Sequence, residues 1–201
     1  LTQDCDYRAS ILQPVYDFFD FKEKAFVSAT PLEVSHPAFE GQGFKKLEIV
    51  PQYDYRKDLH LIVTSSYERT VRKEFQRLKD SPCVCIFLNS VTGINELVNS
   101  LYLEEESRIF CSEEGVGKLK DAGFTNAVSS IDYPLAKYNF FTSRFYSAVD
   151  IELNVKPDIL ILTNLNNSVY TTVDPYTEAI QIQGRFRRMF EDKQTFNSVT
   201  H

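Results

Sequence analysis

Between residues 46 and 182, short apolar runs alternate with longer stretches of helical periodicity, and few architectures accommodate that rhythm. Runs at 46–51, 60–63, 83–88, 107–111, 138–142 and 158–163 read as strands. Residues 66–78, opening near a serine cap, and 91–103 read as amphipathic helices. A short charged helix follows over 114–122, ended by Gly123, and another opens over 175–182. Strands joined by helices of this length predict right-handed βαβ units. The expected fold is therefore α/β, a mostly parallel sheet with helices on both faces. Ligands of such sheets bind at the loops that leave the carboxyl ends of the strands. Upstream, residues 7–20 space their apolar side chains as a helix does, with Pro14 as a kink or break. Residues 24–28 read as a short buried strand, and 32–46, with prolines, glycines and mixed polarity, as a linker.

The 201 residues suffice for one well-buried domain, or one domain with an appendage. A hydrophobic fraction of 43% with 25% charged residues is that of a soluble globular protein. Apolar runs such as Ile159-Leu160-Ile161-Leu162 fall far short of the roughly 20 residues a membrane-spanning helix requires. No basic segment followed by an apolar stretch opens the chain, so secretion has no support, and cysteines read as structural make a reducing, cytoplasmic setting the default expectation. The chain begins at Leu1 without a methionine, which reads as an excised piece of a longer protein. Cys83 and Cys85, two apart in a predicted strand, share a face and read as small buried hydrophobes. With Cys5 and Cys111 apart from them and His36, His60 and His201 scattered, no metal site is expected. Net charge is −6 and the pI about 5.2. Phosphate contacts dominate nucleic-acid affinity, so this balance argues against tight strand binding by the chain alone.

Four segments carry chemistry. Val27-Ser28-Ala29-Thr30-Pro31 follows the first predicted strand, where its hydroxyls can shape a turn. Asn89-Ser90 ends the strand at 83–88, where a serine can cap the next helix. Thr142-Ser143-Arg144 leaves the strand at 138–142, and Asp150 comes eight positions after Thr142. A hydroxyl at a strand tip can bond a phosphate oxygen, and a carboxylate at that spacing can reach a ribose hydroxyl. Last comes Gln181-Ile182-Gln183-Gly184-Arg185-Phe186-Arg187-Arg188. Three arginines there could form a solvated basic face, yet the spacing Gln-x-x-Gly-Arg-x-x-Arg is more particular than the charge. A permanently charged, bidentate guanidinium suits charge building on a transferring phosphoryl group.

In this order the four segments resemble motifs III, IV, V and VI of superfamily 2 helicases of the DEAD/DEAH type, over residues 27–188. The resemblance implies the second RecA-like motor domain of an ATP-dependent nucleic-acid helicase or translocase. It gives Ser28 and Thr30 a part in coupling nucleotide state to domain closure. Asn89, Ser90, Thr142, Ser143 and Arg144 would contact the nucleic-acid backbone. Asp150 would lie near the ribose or the domain interface, and Gly184 would permit the close approach that two guanidinium groups need at the nucleotide. Arg185 and Arg188 would act as arginine fingers, with Gln181 holding the attacking water or the γ-phosphate. Ala148 stands where the family commonly has glycine, a departure that bears on the local backbone.

The P-loop pattern Gly-x4-Gly-Lys-Ser/Thr is absent, since Gly115-Val116-Gly117-Lys118 lacks both the spacing and the following hydroxyl. No Asp-Glu-x-Asp or Asp-Glu-x-His string occurs either. The resemblance therefore implies that residues 1–31 close a first RecA-like domain and 32–201 form the second. ATP and Mg²⁺ would belong to the complete protein, and this chain alone is expected to hold neither tightly. Expected partners are DNA or RNA and the missing first domain. An orphaned strand around Phe26 would also favour a domain-swapped oligomer through residues 1–31. Two other functions fit the same residues. One is a non-catalytic RecA-like module that binds a protein partner or nucleic acid; the other is the translocase part of a restriction or mobile-element enzyme.

Overall fold

The computed structural model describes residues 13–28, 30, 37–50, 52, 57–147 and 149–201. Parts of the sequence reading fall outside them: 1–12, Ala29, Pro31, 32–36, Pro51 and Ala148. The chain divides into two compact units, residues 1–50 and 51–201.

The first unit is built around phenylalanines. Helix α1 (Gln13–Asp20) carries Phe18 and Phe19, and the short helix α2 (Pro37–Gly41) carries Phe39. Phe18 lies 4.2 Å from Phe26 between ring centroids, Phe19 lies 4.9 Å from Phe39, and Phe39 lies 5.0 Å from Phe44. This nest corrects the strand expected at 24–28, a segment that joins no ladder among the described residues. Its one large ring, Phe26, packs against other rings rather than a sheet, and Val27 is left 95% exposed. The strand expected at 46–51 is absent over 46–50 for the same reason. Leu47 and Ile49 alternate as a strand's would, but with no partner strand among the described residues both stay exposed. Helix α2 also lies inside the stretch read as a linker.

The second unit is an α/β fold. Its elements run β1 (Leu59–His60), α3 (Tyr67–Arg77), β2 (Val84–Phe87), α4 (Val91–Leu101), β3 (Ser107–Phe110), α5 (Glu113–Asp121) and β4 (Ala127–Val128). There follow β5 (Tyr138–Phe141), β6 (Asp158–Ile161), α6 (Glu178–Gln183) and β7 (Ser198–Thr200). The seven strands form one parallel sheet in the order β1-β7-β6-β2-β5-β3-β4. This is the class that the strand–helix rhythm predicts, and it is compatible with a RecA-like domain. Strands β4 and β7, of two and three residues, are absent from the strands read from the sequence. β1 is shorter than the run at 60–63, although Ile62 N–H still donates to the His201 carbonyl at 2.7 Å.

Both faces are covered, which is why the central strands are apolar at consecutive positions rather than alternate ones. Val84 and Ile86 of β2 face Val71 and Phe75 of α3, Ile94 and Val98 of α4 and Leu119 of α5. Cys83, Cys85 and Phe87 join Ile182 of α6 and Phe186 in the opposite core. The two thiols share a face, as their spacing requires. At the carboxyl end of the sheet Phe141 stacks on Phe110 at 4.7 Å and on Phe87 at 5.1 Å, one ring from each of β3, β5 and β2.

Helix ends follow local chemistry. The Ser112 hydroxyl accepts from Gly115 N–H at 3.2 Å to open α5. Gly123 ends it in the left-handed region at φ +90°, with its own N–H donating to the Lys120 carbonyl. Ser66 holds the cap position of α3 but makes no cap bond through its hydroxyl, a correction to the expected serine cap. The hydroxyl of Thr64 instead accepts the Ser66 N–H at 3.0 Å.

Candidate functional site

β2 and β5 are neighbours in register, with Phe87 opposite Phe141. That pairing sets Asn89 and Ser143 side by side, each two residues beyond the last rung. Asn89 Oδ1 accepts from Ser143 N–H at 3.3 Å, and Asn89 Nδ2 donates to the Tyr170 carbonyl at 3.2 Å. One amide thus ties together the loops leaving β2, β5 and β6. Ser90 is buried, and its hydroxyl accepts from Gly93 N–H at 3.0 Å to cap α4. Thr142 is buried too and donates to the Phe110 carbonyl at 3.4 Å. The five residues expected to grip a strand therefore meet at one edge with unequal access. Ser143 and Arg144 are exposed, Asn89 is half-buried, and Ser90 and Thr142 turn inward.

Tyr170 was not singled out in the sequence, where it is one residue in a polar stretch after β6. Its importance is a product of the loop's fold. Asn164 N–H donates to Thr171 Oγ1 at 2.8 Å, Thr171 Oγ1 donates to the Ser168 carbonyl at 2.7 Å, and Ser168 N–H donates to the Asn164 carbonyl at 2.9 Å. The Tyr170 hydroxyl lies 3.4 Å from Ser90 Oγ. Hydrogen bonds from Ser168 and Ser90 pull the phenol's pKa below its ordinary value. Between this loop, α3 and α4 lies a groove of about 500 Å³ lined by Tyr67, Ser90, Glu96, Asn164, Ser168 and Tyr170 among others. Burial pushes the Tyr67 phenol up to about 12, so it stays neutral.

The Gln-x-x-Gly-Arg-x-x-Arg string lies beside residues 149–151, a juxtaposition that no sequence spacing shows. Ile151 N–H donates to the Arg185 carbonyl at 2.7 Å, and Arg187 N–H donates to the Ile151 carbonyl at 3.2 Å, a short parallel bridge. Ile151 and Phe186 bury their side chains beneath it. Arg185 is 9% exposed. Its Nε donates to the Gln181 carbonyl at 2.8 Å, Nη2 to Gln181 Oε1 at 3.1 Å and Nη1 to the Val149 carbonyl at 3.1 Å. Burial lowers the Arg185 pKa, Arg187 lowers it further and Asp150 opposes, but a guanidinium remains charged through such shifts.

Asp150 pairs with Arg187 at 2.7 Å, the arginine between the two assigned as fingers. Arg188 is exposed, hydrogen-bonded to Asn154 and 5.7 Å from the centre of the Phe190 ring. Gly184 closes α6 at φ −67°, ordinary right-handed backbone. A Cβ there would meet the Gln181 and Ile180 carbonyl oxygens at 3.4 Å, so packing within the domain does not demand glycine. Ser28 and Thr30 belong to the first unit, where Thr30 N–H donates to Ser28 Oγ at 3.1 Å, an ordinary turn contact.

Among the described residues no group of three or more His, Cys, Asp or Glu side chains could hold a metal ion. Nor is any helix among them long and apolar enough to cross a membrane. No family model, no curated protein and no solved structure matches the chain.

Proposed function

We propose that this chain supplies the second motor domain of an ATP-dependent nucleic-acid helicase or translocase. The observation that carries the reading is the docking of 181–188 against 149–151. Two strings of the right residue types and order, 37 positions apart from Asp150 to Arg187, share a backbone bridge and an ion pair. Arg188 and Arg185 are the arginine fingers, Gln181 holds water or the γ-phosphate, and Asp150 with Gly184 borders the nucleotide. Arg188 is exposed and accessible to phosphate, whereas Arg185 would exchange Gln181 and Val149 for phosphate oxygens. These groups suit the γ-phosphate side of ATP alone. The sequence has no P-loop and the described residues no carboxylate cluster, so on this reading Mg²⁺ and the phosphate cradle are assigned to a first domain. Asn89, Ser143 and Arg144 touch the backbone of DNA or RNA, with Ser90 and Thr142 supporting them. Ser28 and Thr30 would couple the two domains. The free buried thiols Cys83, Cys85 and Cys111 suit a reducing cytoplasm.

The test compares ATP hydrolysis by this chain with that by a protein joining it to a P-loop domain. The chain alone should show no magnesium-dependent turnover. In the joined protein Arg185→Ala and Arg188→Ala should each lower nucleic-acid-stimulated turnover by about 10³-fold while strand binding persists. Turnover by the chain alone, or unchanged turnover in both variants, overturns the reading. A second reading, a non-catalytic RecA-like module, draws on the three bonds that already occupy Arg185. Arginine variants without effect on hydrolysis would favour it.

A further inference from the structure

Tyr170 combines two properties that seldom coincide. It is 64% exposed, yet it is held at both ends, its carbonyl by the Asn89 amide and its hydroxyl by Ser90. The loop that carries it is cross-tied by Thr171, which is fully buried. An exposed aromatic ring normally keeps its rotamer freedom, and ordering it on binding costs free energy. Here that cost has been met within the fold. We infer that Tyr170 is a stacking platform for a nucleobase, so that the strand-tip edge takes single-stranded nucleic acid in preference to duplex. The inference rests on the reading of this edge as a nucleic-acid site.

Charge decides which part of the nucleotide meets the groove. Glu68 and Glu96 line it, and Arg72, the one cation among the described residues that line it, donates to the Ser100 carbonyl at 2.9 Å. A phosphate would be repelled there, while a neutral base would not. Asn164 and Asn167 line the same groove and can bond a base edge. Arg144 lies instead at the β5 tip beside Ser143, where a phosphodiester can run. Backbone on the β2 and β5 tips with a base over Tyr170 requires bases that are unstacked, as in a single strand. In a duplex the bases are paired and stacked on each other, leaving the ring unused.

The experiment titrates the 201-residue chain with fluorescent dT12, U12 and a 12-base-pair duplex at low salt, where electrostatic contacts are strongest. The chain should prefer the single strands. Tyr170→Ala should weaken dT12 and U12 binding at least about fivefold and leave the duplex unchanged, whereas Tyr170→Phe keeps the ring and most of the affinity. Because the chain contains no tryptophan, Tyr170→Trp introduces a lone indole whose fluorescence stacking should quench. Quenching by dT12 with none by the duplex supports the platform even if the alanine variant is unstable. Binding that Asn89→Ala weakens but Tyr170→Ala does not, with no quench in the tryptophan variant, overturns the platform and spares the edge. No binding of any nucleic acid by the wild-type chain overturns both.

Discussion

The strand-tip edge and the arginine string are held in place by different means, and the difference bears on when each can act. At the edge, position comes from the sheet: the β2–β5 register sets Asn89 against Ser143, and side-chain bonds only tie the loops. The arginine string lies outside the ladders apart from one isolated bridge to Ile151. It is held by its own functional group, since the Arg185 guanidinium spans Gln181 and Val149. An edge built on ladders is ready before a ligand comes. A guanidinium that fastens its own domain must let go before it can reach a phosphate.

The largest stability effect should therefore come from Arg185. Truncation to alanine removes three hydrogen bonds, to the Gln181 carbonyl, the Gln181 side chain and the Val149 carbonyl. Arg185→Ala should lower stability by about 2 kcal/mol, a fall of roughly 4–8 °C in Tm for a chain of this size. Arg188→Ala, at an exposed position, should fall within about 0.5 kcal/mol of wild type. Equal losses by calorimetry would show that the two arginines do not divide between fastening and reaching.

Asn89→Ala should rank next, at about 1 kcal/mol, because it breaks one bond to backbone N–H and one to a carbonyl. Its effect should also be local. Amide exchange should quicken at Ser143 and across 164–171 while the β2 and β5 ladders keep their protection. If instead the whole sheet exchanges faster, the edge depends on one side chain as heavily as the arginine string does.

Much of the second unit is legible in the sequence because its elements obey short-range rules. Strands β2, β3, β5 and β6 announce themselves as apolar runs, and α4 and α5 carry their caps at Ser90 and Ser112. β4 and β7, of two and three residues, are too short to show a period and owe their strand state to the neighbour they pair with. The errors at 24–28 and 46–50 have the mirror cause. An apolar run such as 25–27, or an alternation such as Leu47 and Ile49, is a request for a partner strand, and only the rest of the fold can grant it. The same limit governs the site. Asn89, Ser143 and Arg185 are visible as residue types at strand and helix ends. Tyr170 becomes visible only when the β6 loop folds back on α4, and the Asp150–Arg187 pair only when 181–188 docks on Ile151.

The smallest effect belongs to that ion pair. Asp150 and Arg187 have side chains 61% and 50% exposed, so water screens them and two flexible side chains lose entropy in pairing. A double-mutant cycle with Asp150→Asn and Arg187→Gln should give a coupling under about 1 kcal/mol. It should shrink further at about 1 M salt, where the Debye length is roughly 3 Å. The backbone bonds of Ile151 to Arg185 and Arg187 should hold the string in place without the pair. That leaves Asp150 able to exchange Arg187 for a nucleotide at little cost, as its proposed position beside ATP requires. A coupling above about 2 kcal/mol, insensitive to salt, would instead make the pair a second fastening and bind Asp150 to its own domain as firmly as Arg185.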